Sequence, residues 1–399
     1  MFDRRAFLQS GAATLTALAV PHRLLAEEEK KTASQVPDKG RILRPLGRSG
    51  IELPVVSMGV MNADNPNLVR AALDGGIVHF DTAHGYMRGR NEEMLGEVFK
   101  GRKRDSFFLA TKVVAQGVDR TTGLPGPETK AEAFVETFHL SLKRLQVDHV
   151  DILYLHNVSR REAALHEPIL GALVRLRKEG KARLIGLSTH ASEPEAIRAA
   201  VESKAYDVVL TAYNFRQAHR AEVLKACQEA SRAGLGIVAM KTQAGGRFSK
   251  DLPRPVNMKA ALKWALQDPC VTTAIPGFTT FDQLSEDLVV MNDLRMTDAE
   301  RQDVEGAAKT AGLYCQQCGS CRPQCAQGLP VPDLMRGYMY AAGYRNLGAA
   351  KDLVSDLSLA ESPCGSCEVC SVRCPQGFGV RARIEDLLTV RELPDSFLA

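Results

Sequence analysis

Between Arg41 and about Leu294 the chain alternates short β-branched or apolar runs with amphipathic stretches of helical period. The runs that read as strands begin at Val55, Ile77, Phe107, Val150, Leu184, Val208, Gly236 and Thr272. Between them, helical patterns cover Asn91–Phe99, Lys130–Leu145, Ile169–Glu179, Pro194–Ser203, Arg220–Ala233 and Val256–Gln267. Eight strand–helix units in about 240 residues predict an α/β fold, a closed parallel (β/α)8 TIM barrel. The competing architecture is an open doubly wound sheet, but no glycine-rich dinucleotide fingerprint follows the first strand. Ahead of that strand, Leu46–Ile51 reads as a tight hairpin able to plug the barrel floor. The longest connection, Val113–Thr129, follows the third strand and would stand over the mouth of the barrel.

Cysteine placement divides the rest of the chain. Cys227 and Cys270 are isolated and read as small buried hydrophobes, whereas the other eight cysteines fall between Cys315 and Cys374. They form the run Cys315-x2-Cys318-x2-Cys321-x3-Cys325, repeated as Cys364-x2-Cys367-x2-Cys370-x3-Cys374-Pro375. Each run resembles the bacterial ferredoxin motif, in which three close thiolates hold three corners of a cubane and the fourth serves the other cluster. That resemblance implies two [4Fe–4S] clusters, with Cys374 joining the first triplet and Cys325 the second. Zinc and disulfides are the rivals; zinc favours ligand pairs, and the tight spacing crowds most disulfides. Helical patterns near Val331–Ala342 and Leu347–Leu357 suit a small α-helical ferredoxin-like domain.

The first 26 residues read as a leader. Arg4-Arg5-Ala6-Phe7-Leu8 resembles the twin-arginine export signal, and a weakly apolar stretch follows from Gly11 to Val20. Ten such residues are too few to span a bilayer, which takes about 20 in a helix. The implied location is the periplasm, with membrane contact only if the leader stays attached. The division is therefore a signal peptide over 1–26, a charged linker over 27–40, the barrel over 41–310 and the iron–sulfur domain over 311–399. Hydrophobic content of 45%, charged content of 25% and a net charge of +4 are ordinary for a folded protein and do not call for nucleic acid.

Three strand ends carry candidate chemistry. Phe80-Asp81-Thr82-Ala83-His84-Gly85-Tyr86 follows the second strand, Ala110-Thr111-Lys112 closes the third and Tyr154-Leu155-His156 closes the fourth. Together with Asn91-Glu92-Glu93-Met94-Leu95-Gly96, they resemble the active-site signatures of the aldo/keto reductases. The resemblance implies a catalytic tetrad of Asp81, Tyr86, Lys112 and His156, all at strand C-termini where barrel active sites are built. Tyrosine, with a pKa near 10, is a weak acid, and a lysine held charged by an aspartate would lower that pKa. His156 could orient the substrate oxygen. His84 and His190 lie close by in the sequence pattern.

The same resemblance implies bound NADP(H) or NAD(H). Ser188 carries over to the segment that holds the nicotinamide carboxamide, and Thr189 and Leu210 stand where the family often has asparagine and glutamine. Asn214 is the implied replacement, and Met240 lies in the loop over the cofactor. Gly277, Thr280, Gln283 and Glu286 match the adenosine-phosphate segment, although Gly277 and Gln283 replace the basic residues of many relatives. The implied activity is hydride transfer between a nicotinamide and a small carbonyl or alcohol, with a redox protein or quinone as a further partner. The alternative is an electron-transfer or binding protein whose barrel is a silent scaffold.

Overall fold

The structure, a computed structural model, describes residues 40–245, 256–310 and 312–398. The leader and all but the last residue of the linker lie outside the described residues.

A hairpin comes first, with β1 (Leu43–Pro45) antiparallel to β2 (Glu52–Pro54). Eight parallel strands then follow in chain order: β3 (Met58–Gly59), β4 (His79–Asp81), β5 (Phe108–Val113), β6 (Val150–Leu155), β7 (Ala182–Thr189), β8 (Val208–Ala212), β9 (Gly236–Met240) and β10 (Thr273–Ala274). The first and last approach through a parallel bridge between Val56 and Ala274, while Ser57 N donates to Ala274 O at 2.8 Å. The (β/α)8 barrel expected from the alternation is thus the fold. The first barrel strand starts at Met58 rather than Val55, because Val55 N–H already donates to Ile42 O in the hairpin.

Two apolar layers hold the barrel. Between strands and outer helices lie residues such as Phe80, Leu109, Leu153, Ile185, Val209 and Ile237. Inside the barrel, Val78, Phe108, Ile152, Tyr154, Val208 and Val238 meet Leu46, Ile51 and Leu53 of the hairpin. The hairpin therefore plugs the floor, as its sequence suggested. Its turn needs Gly47: φ is +55°, and a Cβ there would lie 2.4 Å from Gly234 O.

The cysteine-rich residues fold around their own small core of Val331, Leu334, Met335, Val354, Ile384 and Leu387. It is built by helices Val331–Tyr338, Leu347–Asp356 and Val380–Leu388, with a wide π turn over Met339–Gly343. The α-helical character expected of this domain is what the structure shows. Barrel and module belong to one compact body.

His79 supplies a stability signal. It is fully buried, its Nδ1 lies 3.1 Å from Ser57 Oγ, and burial pushes its pKa from 6.5 down to about 4. The unfolded chain takes up this proton first, so the contribution is complete above pH 6.5 and is lost as pH falls toward 4. A shift of that size corresponds to about 3 kcal/mol. Urea unfolding of wild type and His79→Leu across this range should show the steeper loss in wild type; parallel profiles would assign the effect elsewhere.

Candidate active site and cysteine centres

The loop after β4 is fixed from below. Thr82 Oγ1 donates to Asn91 Oδ1 at 2.6 Å, and Asn91 Nδ2 donates to Val60 O and Ala63 O. Glu92 accepts from Thr111 Oγ1 at 2.7 Å and from Arg144 Nη1 at 3.4 Å. Asn91 and Glu92 are fully buried at the start of helix Arg90–Phe99, so this polar pair spends its hydrogen bonds on loop position. The loop ends in a tight turn, Tyr86–Gly89, where Met87 and Arg88 have φ of 51° and 56°.

Asp81, Tyr86, Lys112 and His156 all line one open cleft of about 2430 Å³ at the C-terminal ends of the strands. Lys112 and Asp81 form a buried ion pair, and Lys112 Nζ also donates to Thr82 O at 2.6 Å. The ammonium lies 5.1 Å from the centre of the Tyr86 ring. Tyr86 and His156 meet edge to face with ring centres 6.2 Å apart. The four residues selected by motif are therefore one cluster.

The electrostatics correct one expectation. Burial, followed by the charge of Asp81, pushes the Tyr86 hydroxyl well above its ordinary pKa, and Arg336 opposes that shift. Burial lowers the Lys112 pKa while Asp81 opposes that shift. His156 is pushed well below 6.5 by burial and then by Lys112, Arg336 and Lys241, which keeps its imidazole neutral near pH 7. At that pH the site holds a protonated tyrosine beside a neutral histidine.

The expected cofactor residues divide into two groups. Met240, Gly277 and Gln283 line the cleft, and Thr280 caps helix Phe281–Val290 by accepting from Gln283 N at 3.3 Å. Glu286, one turn along that helix, is not among the cleft-lining residues. Ser188 and Thr189 are fully buried beneath the wall, where Ser188 Oγ accepts from Asn157 N and Thr189 Oγ1 donates to Ala191 O. Asn214 Nδ2 donates to Gln316 Oε1 at 3.0 Å, inside the first cysteine run. The carboxamide trio is thus engaged within the protein. Asn157, His190 and Lys241 stand in the cleft wall instead.

The largest departure from the sequence reading is the wall contributed by the cysteine module. Arg336, Tyr340, Tyr344, Asp352 and Leu353 line the same cleft as Tyr86. Arg336 is buried, pairs with Asp333, and its Nη1 lies 3.2 Å from His190 Nδ1. His190 Nε2 lies 2.7 Å from Asn157 Oδ1. Arg336 Nη1 also lies 2.9 Å from His190 Nε2, so the guanidinium sits against both ring nitrogens. Around the rim, Arg88 Nε donates to Asp352 Oδ1 at 2.8 Å, Arg120 Nη2 to Asp356 Oδ2 at 2.9 Å and Asn346 Nδ2 to Asn62 Oδ1 at 3.0 Å. The module is seated on the mouth of the barrel. Its helix periodicity was legible, but nothing local marked Arg336 as a barrel residue.

The cysteines cross over as the doubled run implied. Cys325 shares an apolar cavity of about 360 Å³ with Cys364, Cys367 and Cys370, walled by Leu329, Val331 and Ile384. Cys374 lies close enough to Cys315 and Cys321 to influence both thiols, as Cys318 also does. Among the described residues no three His, Cys, Asp or Glu converge on a single-ion site, and all eight thiols are unpaired. Sulfurs ringing a cavity suit a cubane better than one zinc ion. Cys227 is buried, and Cys270 is partly buried against the same core, less buried than its isolation suggested.

Comparison with known proteins agrees with both halves. Residues 59–260 match the Aldo/keto reductase family, and residues 314–379 match the 4Fe-4S dicluster domain. The uncharacterized oxidoreductase YrpG of Bacillus subtilis is 29% identical over 60% of this chain and 88% of its own length. L-glyceraldehyde 3-phosphate reductase of Escherichia coli is 25% identical over 69% of this chain and 95% of its own. Among solved structures, the holo form of aldo-keto reductase AKR11C1 from Bacillus halodurans aligns with a TM-score of 0.55 at 24% identity, covering 69% of this chain and 99% of that one. With half of its length on that family match and oxidoreductases among its relatives, the chain is an enzyme belonging to the aldo/keto reductase family, with a 4Fe–4S dicluster domain behind its barrel.

Proposed function

We propose that the protein is an NAD(P)-dependent oxidoreductase that interconverts a small carbonyl and its alcohol, with Tyr86 as general acid/base. The observation that carries this reading is the meeting of Asp81, Tyr86, Lys112 and His156 in one cleft. A bound NADP(H) or NAD(H) would supply or accept the hydride. The cleft wall formed by Met240, Gly277 and Gln283, ending at the N-terminus of helix Phe281–Val290, fits such an elongated anion. Gly277 and Gln283 offer no cation to a ribose 2′-phosphate, which leaves either nucleotide admissible.

In carbonyl reduction Tyr86 gives its proton to the oxygen as negative charge develops there. Its raised pKa keeps that proton in place at neutral pH. Neutral His156 has an N–H to offer the same oxygen, and the Asp81–Lys112 pair fixes a positive end beneath the tyrosine ring. Tyr86→Phe should lower turnover by about 10²- to 10⁴-fold while leaving nucleotide affinity unchanged. Unchanged turnover would favour the silent-scaffold alternative.

The doubled cysteine run supports two [4Fe–4S] clusters, held by Cys315, Cys318, Cys321 and Cys374 and by Cys364, Cys367, Cys370 and Cys325. When present, these clusters would carry single electrons toward an outside redox protein or quinone. Cys315 lines a small cavity with Lys241 and Asn214, at the edge of the catalytic cleft. Electron paramagnetic resonance of anaerobically purified protein tests the coupling. NADPH and dithionite should both give the reduced-cluster signal; a response to dithionite alone would make the clusters structural.

The sequence Arg4-Arg5-Ala6-Phe7-Leu8 supports export in folded form by the twin-arginine route to the periplasm. Replacing both Arg4 and Arg5 by lysine should retain the protein in the cytoplasm on fractionation, and undiminished export would reject that route.

A further inference from the structure

The inner end of the cleft holds more positive charge than its acidic residues compensate. Asp81 is paired with Lys112, Asp352 with Arg88 and Asp356 with Arg120, so the carboxylates lining the cleft already have cations. Lys241 has none. It follows β9 directly, its Nζ is buried, and it makes no hydrogen bond among the described residues. Arg336 faces the same space from the module; Nη1 and Nη2 are used by His190 and Asp333, but Nε is buried without a partner. In the adjoining cavity of about 850 Å³, which shares His156, His190 and Arg336 with the cleft, Arg322 Nη1 is also buried and unpartnered.

A buried cation without a partner is costly, and the folded protein tolerates it where an anion completes the site. The two carboxylates close enough to influence Lys241, Glu193 and Asp333, are already engaged, Glu193 by Gln217 and His219 and Asp333 by Arg336. Lys241 and Arg336 are both near enough to His156 to shift its acidity, which puts them beside the reacting centre rather than at a remote surface.

From this arrangement we infer that Lys241 and Arg336 form an anion subsite, and that the substrate is a carbonyl or hydroxy compound bearing a carboxylate. The inference rests on the reductase reading of the cleft and narrows it to a substrate class. The subsite spans both parts of the chain, since one cation comes from the barrel and the other from the iron–sulfur module. Two other anions could use the same cations: the pyrophosphate of the nucleotide, and the sulfur centre at Cys315, which lines a cavity with Lys241.

Calorimetric titration of the full-length, cluster-loaded protein saturated with NADP+ separates these sources. The probes are 4-carboxybenzaldehyde and the neutral 4-methylbenzaldehyde. Wild type should bind the acid about 10-fold or more tightly than the neutral aldehyde, as for a charge-assisted contact. Lys241→Met should abolish that preference and Lys241→Arg should keep most of it. Because Lys241→Met removes an uncompensated buried charge, the variant should fold and melt at a higher temperature than wild type without ligand. Equal affinity of wild type for both probes, or binding of neither, overturns the subsite. A Lys241→Met variant that loses NADP+ affinity but keeps its acid preference reassigns the cation to the nucleotide. One that changes only the cluster midpoint potential reassigns it to the cluster. Binding is read without turnover, so a failed Tyr86→Phe test would reject the reductase reading without deciding the subsite.

Discussion

Arg336 enters the mouth of the barrel, and much of the rest of the site depends on that insertion. A guanidinium cannot be buried without partners, and this one takes Asp333 from its own helix and His190 from the barrel. His190 in turn meets the Asn157 side chain, with Nε2 2.7 Å from Asn157 Oδ1. The exposed pairs at the rim, Arg88–Asp352 and Arg120–Asp356, add register but little energy, since such pairs are worth about 0–1 kcal/mol each. The buried contacts are the ones that make module and barrel share a cleft.

Electrostatics then decide the form in which the site rests. A tyrosine beside a lysine invites the expectation of an acidified phenol. Here Lys112 is already committed to Asp81, and the carboxylate is itself near enough to disfavour tyrosinate. Burial works in the same direction. The resting site therefore holds the Tyr86 hydroxyl in its protonated form. Any positive group brought close to Tyr86 would move that balance, and Arg336 already pulls in that direction.

How far the sequence could be read follows from the range of each interaction. Strand and helix periods are local, so all eight barrel strands were found near their places, with Met58 displacing Val55 because the hairpin takes the Val55 N–H. The tetrad was legible because barrel strand ends converge by topology, which puts Asp81, Lys112 and His156 together once their strands are ordered. The crossing of Cys325 and Cys374 was implied by the resemblance of each run to the ferredoxin motif. Ser188, Thr189 and Asn214 fared differently. Their residue types fit a carboxamide, and within the protein Ser188 accepts from Asn157 N, Thr189 donates to Ala191 O and Asn214 donates to Gln316 Oε1. Lys241 stood in the segment resembling the loop over the cofactor without being singled out, and Arg336 left no signal at all. Contact between residues 190 and 336 has no period, and an arginine on an amphipathic helix reads as solvated until the helix has a neighbour.

That neighbour changes what specificity means in this fold. In a (β/α)8 enzyme, loops at the strand C-termini ordinarily shape the substrate space, and they can vary without disturbing the barrel. Here helix Val331–Tyr338 and the turn after it occupy part of that space with Arg336, Tyr340 and Tyr344. These side chains are placed by the packing of Val331, Leu334 and Met335 against Ile384 and Leu387, and the cysteines border the same core. The side chains that wall the cleft and the cysteines thus rest on one packed core. Arg336, and through it the contact with His190 in the wall of the cleft that Tyr86 lines, is positioned by a helix of that shared core.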